Sequence, residues 1–366
     1  MDFSFSEEQE ALRELARKIL GDLSTPERVG AIEKGDEWFD RELWAELAKA
    51  NLLGATLPEA HGGSGQGFFE LCLLLQEQGR VVAPLPLHPT LLAAVAVARF
   101  GSDAQKRRIL PRVAGGEAVL ALALAEAGND DPAAPTTRAR RAGGGWRLDG
   151  AKIAVPAAGW AERILVSART GEGEGTGAFL VDPRAEGVGL ERQVATHREP
   201  VWWVTLSGTP VAEADALPDA DARWIAERAV AGVCAVQLGV SERALEMTAA
   251  YGRTREQFAR PIGSFQAFHQ RAADAYVCVE AMRLSLWQAA FLLDQEREAS
   301  EAVDIAKFWA SEGGQFAGYA AQHLHGGIGV DVDYPLHRYY MWAKQLELSL
   351  GSSHRSLARL GTALAR

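Results

Sequence analysis

The tract YGRTREQFARPIGSFQAFHQRAADAY, residues 251–276, holds four arginines, three glutamines, two glycines and a proline between two helical patterns. Arg255, Gln257 and Phe258 form an R-x-Q-F run, and Gln266 follows on the same tract. A guanidinium is a planar fork of charged donors that fits phosphate or carboxylate oxygens, and amide side chains add neutral hydrogen bonds. Further along, HLHGGIG places His323 ahead of Gly326 and Gly327. Residues without side chains let backbone N–H groups approach an anion closely. Anion recognition is one chemistry the two tracts could do together. The plain structural alternative pairs Arg255 with Glu256 and makes the glycines a helix cap.

Other chemistries find less support. The chain has no G-x-S-x-G nucleophile elbow and no G-K-[ST] phosphate loop. Glycines in LPEAHGGSGQG are spaced G-x-G-x-G, which is not the dinucleotide fingerprint, so that stretch reads as a loop. His323, His325 and His337 contain no i,i+4 pair, which argues against a helical metal site. Cys72, Cys234 and Cys278 form no CxxC motif and no even disulfide framework. A formal net charge of -10, with no basic block, excludes nucleic acid as a natural partner. The longest apolar runs, LLAAVAVA and AVLALALA, are too short to span a bilayer, and MDFSFSEEQE does not have the form of a secretion signal. The expectation is a reduced, cytoplasmic, globular protein.

Three stretches must position these residues. Up to residue 117 the pattern is helical: Ser6 and Gln9 make a capping box, with Leu12, Leu15 and Ile19 at helical spacing. Residues 118–212 turn to short β-rich runs, RILVSAR, GAFLVD and PVWWVTLSG. The Asp-Gly pair in WRLDGAKIAV signals a hairpin, Trp202 and Trp203 should face opposite sides of a strand, and GEGEGTG reads as a solvated loop. A small antiparallel β-domain follows. Residues 213–366 are helical again. Phe268, Ala272, Ala275, Val279, Met282, Leu286, Ala289 and Leu293 trace one seam of a long bundle helix. A helix from about Asp219 to Tyr251 precedes it, and one from near Ser300 to the glycines of HLHGGIG follows. Long helices with a narrow apolar stripe indicate an α+β chain ending in a four-helix bundle that oligomerises.

This order, with YGRTREQFARPIGSFQAFHQRAAD and HLHGGIGVDVDYPLHRYY in the bundle, resembles the acyl-CoA dehydrogenase family over essentially the whole chain. LPEAHGGSGQGFFELCLLLQEQGR and FGSDAQKRRILPRVAGGE resemble that family's first domain. The resemblance implies FAD shared across a subunit interface, with one subunit's bundle holding the diphosphate and adenosine end. It assigns Arg255 to the diphosphate of the neighbour's FAD, Phe258 to an apolar wall, and Gln257, Gln266, Gly326 and Gly327 to the same end. His323 stands where the family usually carries Gln. In the β-domain the family's flavin segments read T-E-P-x-A-G-S and W-I-T-N. Here they are LAEAGNDD and IAVPAAGW, with Asn129 and Pro156 in place of the hydroxyl residues.

The family's reaction removes a proton α to a thioester carbonyl, which needs a carboxylate in an apolar site. By resemblance the two places for that base hold Leu350, in LSLGSSHR, and Ala229 on the first long bundle helix. Glu347 lies one helical turn before Leu350 and is a candidate relocated base. The expected activity is therefore that of a subunit in a heteromeric acyl-CoA dehydrogenase, such as the α2β2 enzymes of steroid side-chain degradation. Its expected partners are a homologous subunit, an acyl-CoA substrate and an electron-transfer flavoprotein acceptor. The alternatives are a self-sufficient homotetramer using Glu347, and a non-enzymatic scaffold of the same fold.

Overall fold

The structure is a computed structural model that describes residues 5–35, 37–171 and 175–365. GEGEGTG therefore falls partly on residues 172–174, outside the described ones. Among the described residues six α-helices come first: α1 (Glu7–Leu23), α2 (Pro26–Glu33), α3 (Arg41–Lys49), α4 (Phe68–Val81), α5 (Leu87–Phe100) and α6 (Asp103–Ala114). The strands described next are β1 (Leu120–Ala123), β2 (Arg138–Ala142), β3 (Gly145–Pro156), β4 (Arg163–Thr170), β5 (Thr176–Val181), β6 (Val188–Val194), β7 (Pro200–Ala212) and β8 (Ala216–Leu217). The last stretch holds α7 (Ala222–Thr254), the short hairpin β9 (Glu256–Gln257) and β10 (Arg260–Pro261), then α8 (Gln266–Asp294), α9 (Ser300–His325), α10 (Leu336–Leu348) and α11 (Ser353–Leu364).

Contacts divide the chain into two compact units that cut across these stretches. One comprises Met1–Ala31, Cys72–Ala83 and Ala231–Arg366; the other comprises Ile32–Leu71 and Pro84–Val230.

The second unit is built on the sheet, ordered β6-β7-β3-β2-β4-β5-β8, with β1 also on β4. Most pairs are antiparallel, but β1 and β2 both run parallel to β4, so the sheet is mixed. Alternation reports which face a residue takes and carries no information on strand direction, so only the antiparallel part was legible. The hairpin signal also needs correcting. Asp149 and Gly150 lie inside β3, at a register shift between Leu148 and Gly150. The β2–β3 turn is made by Gly143 and Gly144, at φ 59° and 80°, between the paired Ala142 and Gly145. Two positive φ values in a two-residue loop give the twist a hairpin needs, and glycine supplies them without strain. Trp146, Leu148, Ile164, Val166, Phe179, Trp202 and Val204 form the core beneath the sheet. Trp202 is buried while Trp203 is only partly so, as period two requires.

The first unit carries the bundle. Ser6 and Gln9 close the capping box of α1 as read from sequence, through Gln9 N–H to Ser6 Oγ at 3.2 Å and the reciprocal bond at 2.9 Å. On α8, Ala275, Val279, Met282, Leu286, Ala289 and Leu293 are buried, while Phe268 and Ala272 sit at its more open start. Among the described helices α8 alone is long and apolar enough to cross a bilayer by length and composition, although its buried stripe marks a bundle helix. Arg80 at the end of α4 reaches Glu242 at 3.0 Å and Glu246 at 2.7 Å, pinning α4 to α7. Gln76 adds a bond to Glu242 at 2.8 Å.

Candidate functional site

α7 ends at Thr254, and the chain reverses through β9 and β10 before α8 starts at Gln266. Arg255 is fixed at its backbone on both sides: its N–H donates to Tyr251 O at 2.9 Å, and its carbonyl accepts from Ile262 N–H at 2.8 Å. Its side chain is exposed, and among the described residues no carboxylate stands within ion-pair distance of it. The Glu256 pairing that would have explained Arg255 structurally is absent among those residues. Gln257 is exposed and donates from Nε2 to Glu256 O at 2.8 Å.

Phe258 and Ala259 turn the hairpin at φ 54° and 60°, a left-handed region that costs a non-glycine residue energy. Phe258 leaves 87% of its surface exposed and meets Phe265 edge-on at 6.1 Å. A strained turn that thrusts a phenyl ring outward is stability spent on presenting that ring. Gln266, the first residue of α8, is exposed, and Phe265 before it supplies no capping hydrogen bond.

At the end of α9 the chain turns at Gly326, with φ 65° and ψ -144°, a conformation open to glycine and costly for other residues. A Cβ on Gly326 or Gly327 would meet nothing within 4 Å, so both peptides border open space. Contacts among three aromatic residues, which sequence reasoning did not bring together, tie this turn to the arginine corner. Tyr251 stacks on His325 at 4.5 Å and 17°. His325 Nδ1 lies 2.8 Å from Ala321 O and Nε2 lies 3.2 Å from Tyr334 Oη. A neutral ring that donates through Nδ1 and accepts at Nε2 satisfies both contacts, and burial pushes the pKa of His325 down in the same sense. Since Tyr251 bonds to Arg255 and His325 precedes Gly326, the two tracts share one end of the bundle. The signal was available: an aromatic residue flanks each motif. His323 is exposed and takes no part in this aromatic cluster.

The β-domain segments differ. Glu126 and Lys152 are both buried and meet at 2.8 Å. Thr136 gives Glu126 its N–H at 2.6 Å and its hydroxyl at 2.7 Å. Thr137 gives its own at 2.9 and 2.6 Å. Lys152 also reaches Ser167 Oγ at 3.2 Å. The lysine charge and these donors hold the Glu126 carboxyl well below the usual carboxylate range, against the cost of burial, while burial brings Lys152 down to about 8. Asn129 donates to Glu126 at 3.0 Å and to Ala134 O at 2.9 Å, and accepts from Asp131 N–H at 3.1 Å. Pro156 ends β3, and Ala154 beside it is exposed at φ 49°. The Thr136 and Thr137 hydroxyls and the Asn129 amide are spent on Glu126 and the Ala134 carbonyl.

Of the two residues that the resemblance sets where a base is expected, Leu350 is half-buried in the left-handed region, φ 55°, between α10 and α11, and Ala229 is fully buried in α7. The Ala229 carbonyl accepts from His88 Nε2 at 2.8 Å, and burial pushes the pKa of His88 down. Glu347 pairs with Lys344 at 2.9 Å. Buried Lys307 holds the carbonyls of Leu346 and Glu347 at 2.8 and 3.1 Å, and Ser311 adds a bond to the latter at 3.0 Å. Two side chains thus fasten the end of α10 just before Leu350. Burial lowers the Lys307 pKa to about 8. A carboxylate already engaged by a lysine is not held in the apolar setting a proton-abstracting base requires. Among the described residues no group of three or more His, Cys, Asp or Glu could hold a metal ion.

Family models for acyl-CoA dehydrogenases match at three places: the N-terminal domain over residues 6–117, the middle domain over 121–206 and the C-terminal domain over 224–365. The chain is similar to acyl-CoA dehydrogenase FadE27 of Mycobacterium tuberculosis (strain ATCC 25618 / H37Rv), 38% identical, covering 100% of this chain and 99% of the relative. Among solved structures it resembles a variant of the Tcur3481-Tcur3483 steroid ACAD, with 47% identity, TM-score 0.93 and 98% of each chain covered. It also resembles the ChsE4-ChsE5 complex from Mycobacterium tuberculosis, with 39% identity, TM-score 0.94 and 100% and 99% of the two chains covered. Matched along its whole length in sequence and in fold, the chain belongs to the acyl-CoA dehydrogenase family.

Proposed function

We propose that this chain is the base-less subunit of a heteromeric acyl-CoA dehydrogenase, contributing the diphosphate and adenosine half of a FAD site completed by a homologous subunit. The observation that carries the reading is an asymmetry. At the Arg255 end, a guanidinium without an ion-pair partner among the described residues, an outward phenyl ring and an open glycine turn fit a flavin nucleotide's anionic end. At the β-domain end, Asn129 and the Thr136 and Thr137 hydroxyls are engaged internally, and Pro156 has no donor, so the residues present do not fit the isoalloxazine.

FAD, when bound in such an enzyme, supplies the acceptor for the substrate's β-hydrogen. This chain's residues bind and orient: Arg255 would neutralise diphosphate charge, Gln257 and Gln266 would add hydrogen bonds, and Phe258 would wall the site from water. His323 would lie beside that end of the site, where other family members carry an amide. The partner would bring the carboxylate base and the ring pocket, and an electron-transfer flavoprotein would take the electrons. Two solved relatives whose names describe a paired complex and a steroid ACAD support this reading, and make a bulky acyl-CoA thioester the substrate class to try first.

The test is Arg255→Ala in the assembled complex. A charge-assisted bond to diphosphate contributes about 1.5–3 kcal/mol, so FAD retention after dialysis should fall by about one to two decades in affinity while assembly persists. Unchanged flavin content would remove Arg255 from the site.

A further inference from the structure

Arginines also gather on the solvent face of the sheet, away from the flavin corner. On β2, Arg138 and Arg140 flank buried Ala139 and point to the opposite side from it. Antiparallel pairing sets Arg140 directly opposite Arg147 of β3, and parallel pairing sets Arg138 beside Arg169 of β4. All four arginines are exposed. Paired residues share a face, so both of these cross-strand neighbours are arginine against arginine. Like charges directly opposite one another destabilise a sheet. In a chain where 48 acids outnumber 38 Lys and Arg, such a face is not a matter of composition.

The two rows end on uncharged residues, Thr176 of β5 beside Arg169 and Pro210 of β7 beside Arg147. The carboxylate within them is Asp149, opposite Arg138 in register, and it is used locally. It accepts from Arg140 at 2.7 Å and from Gly208 N–H at 2.8 Å. Arg147 donates to the Gly208 carbonyl at 2.8 Å, a neutral partner that leaves its charge uncompensated. For Arg138 and Arg169 no ion-pair partner stands among the described residues.

The geometry selects among anions. Residues on one face of a strand recur about every 6.8 Å, and neighbouring strands lie about 4.8 Å apart. A flat face spreads its guanidiniums on that grid and does not converge them on one small oxyanion. An extended acidic segment carries carboxylates on the same repeat, and a guanidinium fork matches a carboxylate. The rows hold no large apolar side chain that could enter a lipid surface. We propose that this face of β2, β3 and β4 docks an extended acidic segment of another protein, with its carboxylates on Arg138, Arg169 and Arg147. At physiological salt the chain's overall negative charge is screened beyond about 8 Å, so the face acts locally. None of these residues belongs to the flavin corner, and the docking stands or falls independently of the flavin reading.

Fluorescence anisotropy of a labelled peptide of alternating glutamate and serine, titrated with the full chain, tests this. Saturable binding that weakens with added salt is expected. Arg138→Glu/Arg169→Glu should weaken it by about tenfold or more. Arg107→Glu/Arg223→Glu makes the same charge change at exposed residues of α6 and α7, and should leave it within about twofold. Absence of saturable binding, or an equal loss in both double variants, overturns the proposal. So does displacement of the peptide by equimolar inorganic phosphate, or tighter binding to phosphatidylglycerol vesicles than to the peptide.

Discussion

The Arg255 corner and the Glu126 network are both rich in polar groups, and they use them in opposite ways. In the β-domain, Glu126 accepts from Thr136, Thr137, Asn129 and Lys152, and the donors converge inward until few are left over. At the end of the bundle, the backbone of Arg255 is fixed by its own hairpin while its guanidinium is left without an ion-pair partner among the described residues. A network that satisfies itself serves stability. On the role proposed above, an arginine held by its backbone and left exposed serves a ligand. The fold of an acyl-CoA dehydrogenase persists in both regions; of the two, the bundle end has its polar side chains Arg255, Gln257 and Gln266 exposed.

The sharpest way to break this comparison is Glu126→Gln. Removing the carboxylate charge strands Lys152 in the interior, and breaking a buried pair costs about 3–5 kcal/mol. Urea unfolding should show that loss near neutral pH. Because the folded pKa of Glu126 is depressed, its contribution is complete above the ordinary carboxylate range and fades as pH falls through the depressed value. The wild-type and variant stability curves should therefore converge on acidification. A variant as stable as wild type at pH 7 would mean the network is not what holds this end of the sheet.

A smaller effect is expected at Gly326. Alanine there meets no neighbour, yet the backbone conformation costs a Cβ-bearing residue about 1–3 kcal/mol. Gly326→Ala should lower flavin retention in the assembled complex while leaving the helical content of the chain unchanged by circular dichroism. Loss of helix with retained flavin would make the glycine a helix stop and nothing more.

Much of this was legible in the sequence, for identifiable reasons. The α8 seam could be read because burial on a helix repeats with its turn, from Ala275 to Leu293. The capping box at Ser6 could be read because it depends on residues three apart. Strand direction could not: β1 and β2 lie parallel to β4, and nothing in a strand's alternation reports its neighbour's sense. Asp149-Gly150 misled because an aspartate–glycine pair serves a bulge as well as a turn, while the turn used the glycine run at Gly143 and Gly144. At the site, R-x-Q-F and the paired glycines were visible as motifs. The stack of Tyr251 on His325 joins residues far apart in the chain, and only the fold brings them together.

The smallest effect is expected at Glu347, and its smallness is informative. If the partner supplies the base, Glu347→Gln should change acyl-CoA oxidation by the complex by less than about twofold, far from the roughly 10²–10⁴-fold cost of losing a general base. Its contact with Lys344 makes a modest loss of stability the more natural outcome. A large loss of turnover with assembly intact would restore the self-sufficient homotetramer.

The proposed role gives this chain half of a flavin site and no base. It is tested most directly by purifying the chain alone and together with its homologous partner subunit, and recording visible absorbance and acyl-CoA oxidation for each. A colourless, inactive chain alone and a yellow, active complex are expected. A chain that is yellow and turns over acyl-CoA by itself would contradict it.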